Sequence, residues 1–182
     1  STTDLAIVQV NKRGTSFQLY PISRSIRQAG EYFDRWILKD FLGRSQVPPR
    51  GSDKWAEAQR EIERAKINIC TGKSTSETVR FSADGEQHEY ELNSARIQRL
   101  LTDWWNGDNQ DLGPGFRGFL SRVQQRAKEH GQFLEFDTIE RVFLAGGSTG
   151  LPGLKKLIRK DLKSVGIPLE SDRELFVDDS ET

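Results

Sequence analysis

The sequence predicts an α/β fold in which a mixed sheet is flanked by helices and interrupted by a smaller α+β unit. Three observations carry that reading. Runs rich in β-branched residues alternate with runs of helical spacing, in the order β-β-α, then α-β-β-α, then α-β-α-β. A glycine-rich turn, Gly146 to Gly150, stands between a short apolar strand and a helix. The stretch over residues 44–115 begins and ends in loops rich in Pro, Gly, Asp and Asn, which marks it as an insertion.

Taken in order, Leu5 to Val10 reads as a strand, Asn11 to Gly14 as a turn, and Ser16 to Ile22 as the returning strand of a hairpin. Gly30 breaks the chain, and a helix follows from Glu31 with Phe33, Ile37 and Phe41 on one face, ending near Gly43. After a loop with paired prolines, Ser52 or Asp53 caps a polar helix, Lys54 to Ile69, whose apolar stripe is Ala58, Ile62, Ala65 and Ile69. Two strands, Ser76 to Ser82 and His88 to Leu92, flank Asp84-Gly85, a strong hairpin signal. Asn93 or Ser94 caps a helix running to Trp105, and residues 106–115 form a loop before a long helix from Phe116 to about Glu129. Arg141 to Ala145 is a short buried strand, the glycine turn follows, and a helix opens at Leu151-Pro152, since proline suits the first turn of a helix. Residues 174–177 form the last strand.

A chain of 182 residues makes one domain, or one with a subdomain inserted, and is long enough to bury a core. Its 27 basic residues balance 27 acidic ones, which argues against an electrostatic nucleic-acid binder. No apolar run approaches the roughly 18 residues of a membrane span, and no signal-peptide pattern opens the chain. The single cysteine, Cys70, forms no internal disulfide, which makes a reducing cytoplasm the default expectation. The opening at Ser1 without a methionine reads as a piece cut from a longer chain.

The strand–Gly-Gly-Ser-Thr-Gly–helix segment carries the most chemistry. Glycines let a backbone approach a ligand closely, and the helix behind them offers unpaired N–H groups at the positive end of its dipole. A plain strand-to-helix turn is the bland alternative. The same residues fit Gly-x-Ser-x-Gly with Ser148 as nucleophile, but in that arrangement the catalytic histidine follows the serine, and His88 and His130 both precede it. Two histidines and one cysteine give no metal-site spacing, and no Walker-type loop occurs. His88 reads as a surface strand residue, His130 as a cation near a helix C-terminus. Trp104-Trp105 is either a binding platform or core, and the apolar face of its helix favours core.

Four segments, in order, resemble the second lobe of the Hsp70 ATPase domain. Ala29-Gly30-Glu31-Tyr32-Phe33-Asp34 is similar to that family's Gly-Gly-Glu-Asp-Phe-Asp, and Glu63-Arg64-Ala65-Lys66 to its Glu-Arg-Ala-Lys helix. Leu92-Asn93-Ser94-Ala95-Arg96-Ile97 is similar to Ile-Thr-Arg-Ala-Arg-Phe, and Val142 to Pro152 to Val-Gly-Gly-Ser-Thr-Arg-Ile-Pro. The resemblance implies an actin-like, ribonuclease H-like lobe, with residues 1–43 and 116–182 as its core and 44–115 as the inserted helix–hairpin–helix. It implies that this lobe supplies the adenosine side of a cleft that closes on ATP or ADP, through Gly30, Glu63, Lys66, Gly146, Gly147, Ser148 and Gly150. The phosphate loops and the magnesium-bound phosphates would belong to the other lobe, so the fragment alone is not expected to be catalytic, although the parent would be an ATPase. Implied partners are the nucleotide, the other lobe, and a co-chaperone or client protein. Three departures touch the base pocket: the positions of the family's two stacking arginines are Ile67 and Gly150, and its base-facing serine is Cys70. They favour one rival reading, a pseudo-ATPase interaction module, while the same fold and glycine turn would be shared by another, an actin-like filament or plasmid-partition protein.

Overall fold

In the computed structural model, the structure describes residues 3–10, 17–26, 30–43, 48–83, 85–107, 112–129, 136, 139, 141–145, 148–167 and 175–178. The mixed α/β reading holds in these residues, with six strands and five helices. The single mixed sheet is not formed there: the strands pair two by two. The expected turn, Asn11 to Gly14, lies outside the described residues.

Strands β1 (Thr3–Val10) and β2 (Phe17–Ile26) form the expected antiparallel hairpin, longer than the apolar pattern alone marks. Its register slips between Ala6 and Val8, whose partners are Ser23 and Leu19. Pro21 falls within this interruption, where a residue without a backbone N–H removes no ladder bond.

Helix α1 (Gly30–Leu42) buries Phe33, Asp34, Ile37, Leu38, Phe41 and Leu42. Gly43, left-handed at φ 74°, ends it by donating its N–H to the Lys39 carbonyl at 2.9 Å. Helix α2 (Asp53–Cys70) is capped by Ser52, whose hydroxyl accepts from the Trp55 N–H at 3.2 Å, so Ser52 rather than Asp53 is the cap. Its buried face holds Trp55, Ala58, Ile62, Ala65 and Ile69, and among them Lys66.

Strands β3 (Ser76–Ala83) and β4 (Glu86–Asn93) pair in unbroken register from Ser76↔Asn93 to Ala83↔Glu86. The Asp84 position lies outside the described residues, and Gly85 takes the left-handed φ of 83° that this turn needs. The hairpin packs on α2, where Arg64 donates to Glu77 at 2.8 Å and to the Thr78 carbonyl at 3.1 Å. His88 is half-buried rather than a surface residue, because the Phe81 and Tyr90 rings stack beside it at 5.9 and 6.0 Å.

Asn93 caps α3 (Ser94–Trp105), accepting from the Arg96 N–H at 2.9 Å. Trp104 and Trp105 are both buried, Trp104 stacked on Phe33 at 5.3 Å, so the pair is core and not a platform. Helix α4 (Leu112–Glu129) starts four residues before the expected Phe116. Pro114 is tolerated in a first turn, and Gly113 is needed because a side chain there would run into the Trp105 carbonyl. His130 lies outside the described residues.

Strand β5 (Val142–Ala145) and strand β6 (Leu175–Asp178) pair in parallel, which requires a crossover, and α5 (Leu154–Ser164) supplies it. β5 is not fully buried. Val142 and Leu144 are half-buried while Phe143 is 70% exposed, the alternation of a strand packed on one face only. α5 begins three residues after Leu151: Leu151 to Gly153 form a turn, with Leu154 donating to the Leu151 carbonyl at 3.0 Å and Gly153 left-handed at φ 89°. One continuous apolar core runs through α1, α2, the β3–β4 hairpin, α3, α4 and α5. Among the described residues no helix is long and apolar enough to cross a membrane.

Candidate functional site

The site forms where the start of α1, the C-terminal half of α2 and the turn after β5 meet. Gly30 is the first residue of α1. A methyl group built on it would lie 2.9 Å from the Ser148 hydroxyl oxygen and 3.5 Å from the Lys66 ammonium. Gly30, Lys66 and Ser148, separated by as much as 118 positions in sequence, are therefore immediate neighbours in space. Glycine at position 30 is what allows a hydroxyl and an ammonium to reach the same stretch of backbone. The N–H groups of the first turn of α1 have no intrahelical acceptors and lie at this same end.

The glycine turn closes against α2 from its far side. A Cβ on Gly150 would come 3.0 Å from the Cys70 carbonyl oxygen and 3.3 Å from the Cys70 Cβ, so the turn rests on the C-terminal end of that helix. Gly146 and Gly147 lie outside the described residues. Glu63 is exposed on α2, one turn before Lys66, and its charge is felt at Asp34. Ile67 is 44% exposed next to Lys66, an unusual position for a large aliphatic side chain.

Asp34 is the site residue that the sequence reading did not select. Its carboxylate accepts from Lys66 Nζ at 2.5 Å, and the two side chains are only 2% and 7% exposed. Burial pushes the Asp34 carboxyl up to about 6, against the pull of Lys66, with Glu63 and Glu31 adding repulsion. Burial likewise raises the Cys70 thiol, to about 11, although the Lys66 charge works in the other direction. The signal for Asp34 was present in the periodicity. Asp34 shares the buried face of α1 with Ile37, Leu38 and Phe41, and Lys66 shares that of α2 with Ile62 and Ile69. A carboxylate and an ammonium, each on an apolar face, are placed to find one another.

Chemically, these groups form a donor-rich wall: an ammonium fixed by one carboxylate, a hydroxyl, and backbone N–H groups exposed by a glycine. Such a wall suits ligand oxygens, as in sugar hydroxyls. Ser148 has Gly30 and Lys66 beside it, while His88 sits in the β3–β4 hairpin among Phe81 and Tyr90.

No protein-family model matches the chain. Curated relatives do. The chain is 25% identical over 162 residues, 86% of its length, to a heat shock protein of Pyricularia oryzae. It is 26% identical over 87% of its length to heat shock 70 kDa protein 6, chloroplastic, of Arabidopsis thaliana, and 24% identical over 88% to a DnaK-type chaperone protein of Synechococcus elongatus. It spans between 21% and 24% of the length of these three relatives. The similarity to these fungal, plant and cyanobacterial heat shock and chaperone proteins extends across nearly all of the chain and is consistent with a fragment of an Hsp70-type protein.

Proposed function

We propose that this chain is the C-terminal lobe of an Hsp70-type nucleotide-binding domain and that it supplies the adenosine side of the cleft. The observation that carries the reading is the meeting of Gly30, Lys66 and Ser148 at one point, as expected of residues sharing one ligand. In this reading Lys66 and Ser148 donate to the ribose, Glu63 accepts from it at the exposed rim, and Gly146, Gly147 and Gly150 shape the turn that approaches the nucleoside. Residues 1–43 and 116–182 would form the actin-like core of the lobe, with 44–115 as the inserted subdomain. ATP or ADP would bring its magnesium-bound phosphates to the other lobe, which together with a co-chaperone or client completes the set of partners. The parent would be an ATP-dependent chaperone.

The exposure of Ile67 supports a second reading, a pseudo-ATPase interaction module. An aliphatic side chain stands where the family pattern has a stacking arginine, and the loss of a cation–π contact costs about 0.5–1 kcal/mol at an exposed position. Calorimetric titration of the chain with adenosine and ATP separates the two. Nucleoside binding that weakens about tenfold or more in Lys66→Ala, the loss expected of one charge-assisted hydrogen bond, supports the lobe assignment. Absence of binding by the wild-type chain supports the pseudo-ATPase.

A further inference from the structure

We propose that Asp34 is the positioning residue of this site: in its ionised form it holds the Lys66 ammonium against Gly30 and Ser148, and the site engages a sugar only in that state. The inference rests on the nucleoside reading above and assigns to it a dependence on protons.

The geometry leaves Lys66 little choice of place. Lys66 belongs to the buried face of α2, and its side chain, 7% exposed, meets Asp34 at 2.5 Å. Gly30 and Asp34 are four residues apart on α1, one helical turn, so the carboxylate lies on the same face as the backbone that Lys66 and Ser148 approach, one turn further along. Among the described residues, the charged groups that bear on the Asp34 carboxyl come from two helices, Glu31 on α1 with Glu63 and Lys66 on α2, while the thiol of Cys70 on α2 feels both members of the pair. Of these groups, Lys66 alone favours the charged carboxylate. Protonating Asp34 removes the counter-charge that a buried ammonium is paired with, a costly state that is relieved when the side chain swings out to water. The wall then loses its strongest donor.

The pH directions separate this role from a structural one. The Asp34 carboxyl is raised to about 6 in the fold, so it is ionised above that pH and protonated below. Between the ordinary carboxylate range and about 6 the folded chain binds more protons here than the unfolded chain, so the contribution of Asp34 to stability falls as pH rises through this window. Sugar engagement runs in the opposite direction: it is present above about 6 and lost as pH falls. A purely structural Asp34 would not produce opposite slopes.

The test is calorimetric titration of the chain with adenosine from about pH 8 to about pH 5, where the fold is followed by circular dichroism. Adenosine is the probe because a phosphate would itself titrate near about 6. The expected result is an affinity that is level above about 6 and falls about tenfold per pH unit below it, while Asp34→Asn binds weakly and without pH dependence. Wild-type binding that ignores pH, or an Asp34→Asn variant that binds as tightly as wild type, overturns the role of Asp34 and leaves the nucleoside reading intact. If wild type binds no adenosine at any pH, both fall together. Should Asp34→Asn fail to fold, the wild-type profile alone decides, supported by the carboxyl ¹³C titration of Asp34, whose midpoint should drop when adenosine is added.

Discussion

Two buried aspartates invite comparison. Asp161 on α5, 7% exposed, accepts from Trp105 Nε1 on α3 and from Arg117 on α4, each at 2.9 Å. Asp34 on α1, 2% exposed, accepts from Lys66 on α2. The first carboxylate has donors from two further helices, one of them a guanidinium with a second contact to the Trp105 carbonyl at 3.4 Å, and so it fastens three helices together. The second has a lysine, a compact charge with three N–H donors, of which Asp34 takes one among the described residues, and beside that lysine stand a glycine and a serine hydroxyl. Burial is similar at the two acids, and what differs is whether the partner has anything left to offer a ligand.

Breaking the first pair should give the largest change in stability and none at the site. Asp161→Ala orphans the Trp105 N–H and leaves a half-exposed Arg117, and should lower unfolding free energy by about 2–3 kcal/mol in urea titration, with adenosine affinity unchanged. The reverse is expected of the second pair. Replacing both members by apolar residues, Asp34→Leu with Lys66→Met, should leave stability within about 1 kcal/mol of wild type while adenosine affinity falls at least about tenfold. If instead this double variant unfolds and Asp161→Ala does not, the contrast between fastener and site is inverted. The smallest effect is expected beside the site: Ile67→Arg returns a cation to an exposed position and should tighten adenosine binding by about two- to fivefold, with no change in stability.

Much of this was legible in the chain. Caps at Ser52 and Asn93, the hairpin at Gly85, and the stripe Ala58, Ile62, Ala65, Ile69 are local signals, and they fixed α2, α3 and the β3–β4 pair to within a few residues. Where local signals competed, boundaries moved. Pro114 and Pro152 both suit a helix start, yet α4 begins before its proline and α5 after, because Gly113 had to clear the Trp105 carbonyl and Gly153 had to turn left-handed. Sheet assembly was not legible, since pairing depends on which edges meet, and apolar alternation does not record that. At the site, the ordered motifs point to Gly30, Lys66 and Ser148, which the structure brings side by side. Asp34 was passed over because it was read as one letter of a helix-opening segment, when its meaning lay in sharing a buried face with Phe33 and Ile37.

The contact between Gly150 and the end of α2 sets apart the two positions, 67 and 150, at which the resembled family pattern has arginine. Position 67 faces solvent, so a guanidinium has space there at once. Position 150 is sealed: its neighbour at 3.0 Å is main-chain oxygen of Cys70, which no rotamer change can move aside. A Cβ there obliges the turn and the helix end to part by a few tenths of an ångström, and a long side chain by more. An arginine at 67 therefore changes one side chain, whereas an arginine at 150 also shifts the backbone of two elements, which makes the two substitutions unequal in what they disturb.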